Sequence, residues 1–223
     1  MNTRLNLPTV MLMCADCITD PREISDILKK CEALCAFGAV KFFTSLETDC
    51  PHKVAINRLA TLSDYSAFLL TRAHEYIETP HVLTVQHDGW VLNPDAWNPY
   101  WLNYDYIGPL FIQEWDVMPM TVGSGGFSFR SKALMTFVAG HMPPWDGASG
   151  TKDWPYEDGV IAKSMRSILI NHSFQFAPPL EASKFAQGGN LNPYYYVSKP
   201  FGFHGLWNNI NRQTGVVGEW PKA

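Results

Sequence analysis

Two hydrophobic periods alternate along the chain and mark out its elements. Residues 8–14 (PTVMLMC) are almost continuously apolar, the signature of a buried strand, and a loop over residues 15–20 follows at its carboxyl end. Asp20-Pro21-Arg22-Glu23 then opens a helix, with Asp as N-cap, proline at the first helical position and an acid in the first turn. Ile24, Ile27, Leu28, Cys31 and Leu34 recur at helical spacing, so this helix is predicted to run to about Ala36, with Gly38 ending it. A second strand is predicted over residues 39–44. Strand, helix and strand in this order predict a sheet with helices on its faces.

The pattern continues in the same style. Residues 45–62 are polar and irregular; Ser63-Asp64-Tyr65 caps a helix carrying Phe68, Leu69 and Ala73 to about Ile77, and Thr79-Pro80 breaks it. Residues 82–86 (VLTVQ) form a β-branched apolar strand that stops in His87-Asp88-Gly89. A turn into a short helix at residues 93–97 and a short strand before Gly108-Pro109 follow, and residues 112–124 read as loop. Gly125-Gly126 leads into a strand ending at Ser131, which caps a helix over 132–139. Residues 140–155, rich in Gly, Pro and Trp, read as a surface loop able to act as a lid. Glu157-Asp158 begin a helix to about Leu169, and few helical stretches follow Ala177. The fold class is α/β: a mixed, mainly parallel central sheet flanked by helices, in one domain over residues 1–223.

Composition narrows the function. Of 223 residues 46% are hydrophobic and 17% charged, enough for a substantial core and too apolar for disorder. The net charge of −4, with no Lys/Arg run, argues against a protein held mainly by nucleic-acid phosphates or an anionic membrane. No apolar run approaches the ~18 residues of a membrane span. Pro8 and Asp16 bracket the first apolar run, which fits a strand better than a signal core, so a cytoplasmic protein is expected. The five cysteines all fall within the first 50 residues. Cys14-x-x-Cys17 with Cys31-x-x-x-Cys35 has the form of a four-thiolate zinc site, but Cys31 and Cys35 share a helix face, where cysteine packs as a small core residue. Reduced core thiols are the expectation.

Four pieces of sequence carry candidate chemistry. Asp88 leaves the end of a buried strand, where ligands of open α/β sheets bind, and its hard oxygen suits Mg²⁺ or Mn²⁺; an Asp-Gly after a strand is otherwise a plain turn. Gly125-Gly126 lets backbone approach a ligand, or simply makes a tight turn. Glu157-Asp158 complement a helix dipole, or one of them accepts a proton from an attacking hydroxyl; the dipole would lower its pKa. His204, between Gly-Phe and Gly, has an accessible imidazole suited to a metal or phosphate.

Taken in order, these residues resemble a known family. Ser63-x-Tyr65-Ser66-x-Phe68-Leu69-Leu70, His81-Val82-Leu83-x-Val85-Gln86-x-Asp88-Gly89-Trp90-Val91-Leu92-Asn93-Pro94, Asp105-Tyr106-Ile107-Gly108, Gly125-Gly126-Phe127-Ser128-x-Arg130-Ser131, Glu157-Asp158 and Phe201-Gly202-Phe203-His204-Gly205 carry the likeness, over roughly residues 8–206. The set is similar to a domain family of unknown function found near surface-polysaccharide genes, and to nucleotide-sugar-dependent glycosyltransferases of GT-A type. The resemblance implies a nucleotide-sugar half over about residues 1–110 and an acceptor half over about 111–223. Gln86-His87-Asp88 stands where that family has its Asp-x-Asp motif. Asp88 is then the metal ligand, Gln86 a weak or water-mediated one, and His204 the late histidine completing the site around Mn²⁺ or Mg²⁺. Gly125 and Gly126 would wall the sugars, and Asp16 and Thr44 would face the nucleotide, a UDP-sugar being favoured. Asp158 would be the base of an inverting transfer, with Glu157 binding acceptor hydroxyls of a glycan or other acceptor.

Other readings share these residues. A retaining enzyme would use the acidic pair only to position the acceptor. Nucleic acid enters only as an acceptor, through a hydroxymethylated DNA base, which the acidic charge disfavours. A non-catalytic nucleotide- or sugar-binding module would account for the missing second acid. A nucleotidyltransferase would need a glycine-rich basic loop near the first strand, and none is seen.

Overall fold

The computed structural model describes residues 4–111, 121–142, 156–188, 196–205 and 210–218. Its centre is a six-stranded sheet in the order β3-β2-β1-β4-β8-β5. Strands β1 (Leu5–Ala15), β2 (Cys35–Thr44), β3 (Lys53–Ala55) and β4 (His81–Thr84) pair in parallel, while β5 (Tyr106–Ile107) and β8 (Ser128–Ser131) join antiparallel. The expected mixed, mainly parallel sheet is therefore the observed one. Short pairs β6 (Leu110–Phe111) with β7 (Thr121–Val122), β9 (Ala186–Gln187) with β10 (Gly202–Phe203), and β11 (Ile210–Asn211) with β12 (Val216–Val217) lie outside it.

Helix α1 (Pro21–Leu34) starts as its sequence prescribes: Asp20 accepts from the Arg22 N–H, Pro21 follows and Glu23 lies in the first turn. It buries Ile24, Leu28 and Cys31 in the core with the sheet, each large apolar side chain contributing about 1.5–3 kcal/mol, and Ile27 is buried too. The helix stops at Leu34, and the chain enters β2 directly, so Gly38 is not its terminator. Gly38 sits inside β2, where a Cβ would run into the Pro8 carbonyl. There the β1/β2 register slips between Leu7 and Met11, a bulge at the residue that has no N–H to give the ladder.

Helix α2 (Leu62–Thr71) begins earlier than expected. Its cap is Thr61, which exchanges side-chain and backbone bonds with Asp64 in a capping box. It also ends earlier, and a 3₁₀ turn over Ala73–Tyr76 fills the remainder to Ile77. Helix α3 (Lys132–His141) is capped by Ser131 as expected. The helix at Glu157-Asp158 is broken into α4 (Glu157–Gly159), a π-helical turn (Val160–Ser164) and α5 (Arg166–Asn171). Helix α6 (Pro179–Phe185) precedes β9. Of the expected lid over residues 140–155, Gly140 and His141 belong to α3, and residues 143–155 lie outside the described residues.

All five cysteines are free and buried, as expected of core thiols. Burial pushes Cys31 and Cys35 up to about 12. Among the described residues no group of three or more His, Cys, Asp or Glu side chains is arranged to hold a metal. One core cluster draws on residues from Leu7 to Phe201.

Candidate functional site

Strand directions assemble the site. β1 and β4 are parallel neighbours with Met13 beside Thr84, so the loops leaving both strands emerge side by side. β8 runs the other way and pairs Ser128 with Thr84, which carries the preceding Gly125-Gly126 to the same edge. The β9/β10 pair brings the C-terminal segment alongside, and Gly205 N–H donates to the Asp88 carbonyl at 2.8 Å. Glu157 arrives at the start of α4, where its N–H donates to Ser66 Oγ on α2 at 3.2 Å.

After β4 the chain makes a tight two-residue turn, Gln86 and Gly89 bonding to each other in both directions at 3.3 and 3.1 Å. His87 and Asp88 form its tip, and they differ sharply. His87 is exposed, whereas Asp88 is 6% exposed and its Oδ1 is sealed from solvent without a hydrogen-bond partner. An acid in an ordinary surface turn would be solvated. Asp88 Oδ1 instead lies 3.5 Å from His204 Nε2, with Gln86 Oε1 3.3 Å from the same nitrogen. The other ring nitrogen, Nδ1, bonds Ser124 Oγ at 2.9 Å. Burial holds the imidazole below its ordinary pKa, against the pull of Asp88 and Glu157.

The two glycines are packed from both sides. A Cβ on Gly126 would collide with the His204 ring and Gln86 Oε1; one on Gly125 would collide with the Glu157 carboxylate. The Gly125 N–H donates to Asp158 Oδ2 at 3.0 Å, so this amide is committed within the protein rather than held out to a sugar. One dipeptide thus touches Asp158 through its first residue and His204 through its second.

The acidic pair divides its tasks. Glu157 is 3% exposed and its Oε1 lies 3.0 Å from Nη2 of Arg130, itself fully buried. That oxygen is bound inward, to a buried guanidinium. Asp158 is half-buried, and burial, then the charge of Glu157, push it up to about 7. The Gly125 and Gly159 amides and Arg130 pull the other way without prevailing. The helix dipole expected to depress this acid is weak, because α4 has only three residues before the π turn.

Next to this cluster a pocket of about 270 Å³ opens, lined among others by Asp16, Cys17, Leu59, Tyr65, Gln86 and His87. Gln86 is common to the pocket and the His204 contact. Asp16 does line it, but its carboxylate is spent on the loop: Oδ1 accepts from the Ile18 and Thr19 amides at 2.7 and 2.8 Å, and Oδ2 from the Thr19 hydroxyl. Thr44 does not. It is fully buried, Oγ1 accepts from the Leu46 N–H at 3.1 Å, and the expectation that it faces a nucleotide is corrected.

Sequence reasoning passed over Ser124 and Arg130. Arg130 left a usable signal, a cation in an apolar strand between Phe129 and Ser131, which requires a buried acid nearby. Ser124 left none, lying at the end of a segment read only as loop.

Residues 52–204 match the model of a protein family described as being of unknown function, DUF5672. Among solved structures, the chain is similar to the crystal structure of a glycosyltransferase involved in the glycosylation of the major capsid of PBCV-1. That likeness has a TM-score of 0.55 and 12% identity, covering 89% of this chain and 93% of the other, and it concerns the fold. No curated protein matches the chain. Among the described residues, no helix is long and apolar enough to cross a membrane.

Proposed function

The chain belongs to the DUF5672 family, and on that footing we propose that it is a metal-dependent glycosyltransferase of GT-A type. It moves a sugar from a nucleoside diphosphate sugar, UDP-linked by preference, to a hydroxyl acceptor with inversion. The observation that carries this reading is the pair Asp88 and His204, a buried carboxylate oxygen without a hydrogen bond 3.5 Å from an imidazole nitrogen. The fold likeness to a glycosyltransferase supports it.

The residues fit a divalent cation. Asp88 Oδ1, which makes no hydrogen bond, with His204 Nε2 and Gln86 Oε1, supplies hard oxygen and imidazole donors that suit Mn²⁺ or Mg²⁺. Such an ion supplies Lewis-acid stabilisation of a departing diphosphate. The pocket beside Gln86, with its loop shaped by Asp16, receives the nucleoside. Asp158 accepts the acceptor hydroxyl's proton: an acid with a pKa near 7 is ionised in useful amount at neutral pH and remains a competent base. Arg130 neutralises Glu157, which keeps the charge beside Asp158 from growing further.

A second reading has its own observation. Asp88 is the sole acid of the Gln86-His87-Asp88 turn, and no metal-ligand group of three His, Cys, Asp or Glu forms among the described residues. This favours a nucleotide-binding module without turnover. Titrating the protein with UDP and Mn²⁺, then measuring release of UDP from a panel of UDP-sugars with and without glycan acceptors, separates the two. Turnover that disappears in Asp158→Asn supports the transferase. Binding with no turnover under any donor supports the module, and no binding removes both.

A further inference from the structure

We infer that Ser124 is a positioning residue that presents His204 Nε2 unprotonated to a divalent cation. The inference deepens the proposed function and rests on it. Neutral imidazole carries one N–H, so one ring nitrogen donates and the other accepts. Nε2 faces Asp88 Oδ1 and Gln86 Oε1, both acceptors, at 3.5 and 3.3 Å. Left alone, that surrounding favours the proton on Nε2, where it blocks a cation.

Ser124 Oγ, 2.9 Å from Nδ1, supplies the alternative. A serine hydroxyl both donates and accepts, so it bonds Nδ1 in either tautomer: donating while Nε2 carries the proton, accepting once the proton sits on Nδ1. The neutral ring therefore releases Nε2 without stranding a polar atom in a mostly buried place. The geometry for this is tight. The His204 ring lies against the Gly126 Cα, where no side chain fits, and Ser124 is held by its N–H to the Pro109 carbonyl at 3.1 Å. A metal-bound histidine whose second nitrogen loses its acceptor typically binds its ion 10–100-fold more weakly.

The test uses the whole chain with Mn²⁺ or Mg²⁺ alone. Mn²⁺ affinity is read from the electron-paramagnetic-resonance signal of free ion, and the His204 tautomer from ¹⁵N ring shifts with and without Mg²⁺. In wild type, Mg²⁺ should move the proton to Nδ1. Ser124→Ala should keep its melting temperature, lose about 10–100-fold in Mn²⁺ affinity and retain the Nε2–H tautomer in Mg²⁺. Ser124→Thr, which keeps the hydroxyl, should restore both. Wild-type uptake matched by Ser124→Ala overturns the role of Ser124 alone. Failure of wild type to take up either ion overturns the cation site itself, and the inference with it.

Discussion

Arg130 and Glu157 form an ion pair at 3.0 Å with side-chain exposures of 0% and 4%, beneath the dipeptide that separates Asp158 from His204. Two charges this deep are stable only together. Removing one leaves the other uncompensated at a cost of about 3–5 kcal/mol, whereas replacing both by apolar groups is often close to neutral. We therefore expect Arg130→Met and Glu157→Leu each to lower stability by about that amount in urea unfolding, and the double variant Arg130→Met/Glu157→Leu to recover most of it. Additive losses in the double variant would remove the coupling.

Gly126 and Gly140 separate a packing glycine from an incidental one. At Gly126 a methyl group would overlap the His204 ring, so Gly126→Ala should displace the imidazole, weaken Mn²⁺ binding by at least about tenfold, and cost about 1–3 kcal/mol through overpacking. Gly140 lies exposed in α3, where a Cβ meets nothing within 4 Å. There Gly140→Ala should stabilise by about 0.5–1 kcal/mol and leave ion binding alone. Equal effects at both positions would mean that His204 is not held by this contact.

How much of this was readable in advance follows from the range of the interactions concerned. The sheet, the start of α1 and the turn at Asp88 are local patterns of period, cap and turn chemistry, and they were legible. Gly38 was misread because its need for no side chain comes from Pro8 on the neighbouring strand, thirty residues away. Thr44 was misplaced because a strand end says nothing about the depth at which it lies. The inward commitment of Glu157 depends on Arg130 in another element, and the raised pKa of Asp158 depends on that burial. His204 was found through its flanking glycines; its partner Ser124 was hidden in sequence without a pattern.

Asp88 gives a test that stability cannot confuse. Its Oδ1 makes no hydrogen bond, and His204 Nε2, 3.5 Å from it, keeps Gln86 Oε1 at 3.3 Å when the carboxylate is deleted, so little is stranded. We expect Asp88→Ala to abolish sugar transfer while the melting temperature of the metal-free protein stays within a few degrees of wild type or rises. Differential scanning calorimetry beside a UDP-release assay measures both. Full activity in this variant would take Asp88 out of the mechanism.

Asp158 links activity and stability through one proton. Its carboxyl moves from 3.8 to about 7 in the fold, chiefly by burial and the nearby Glu157 charge. Transfer requires the ionised form, so its rate should climb with pH through about 7 and level off above. Stability should run the other way. Between about pH 4 and 7 the unfolded chain has released this proton and the native chain still holds it, so raising pH favours unfolding across that window. Above 7 the full penalty is present. Asp158→Asn, which carries no charge at any of these pH values, should lose transfer by about 10²–10⁴-fold. It should still bind UDP, and it should be more stable than wild type at pH 8 but not at pH 4. Melting curves of both metal-free proteins across pH 4–8 decide this. Parallel curves would show that Asp158 ionises normally in the folded protein, and a base with an ordinary carboxylate pKa would leave the rate flat from pH 5 upward.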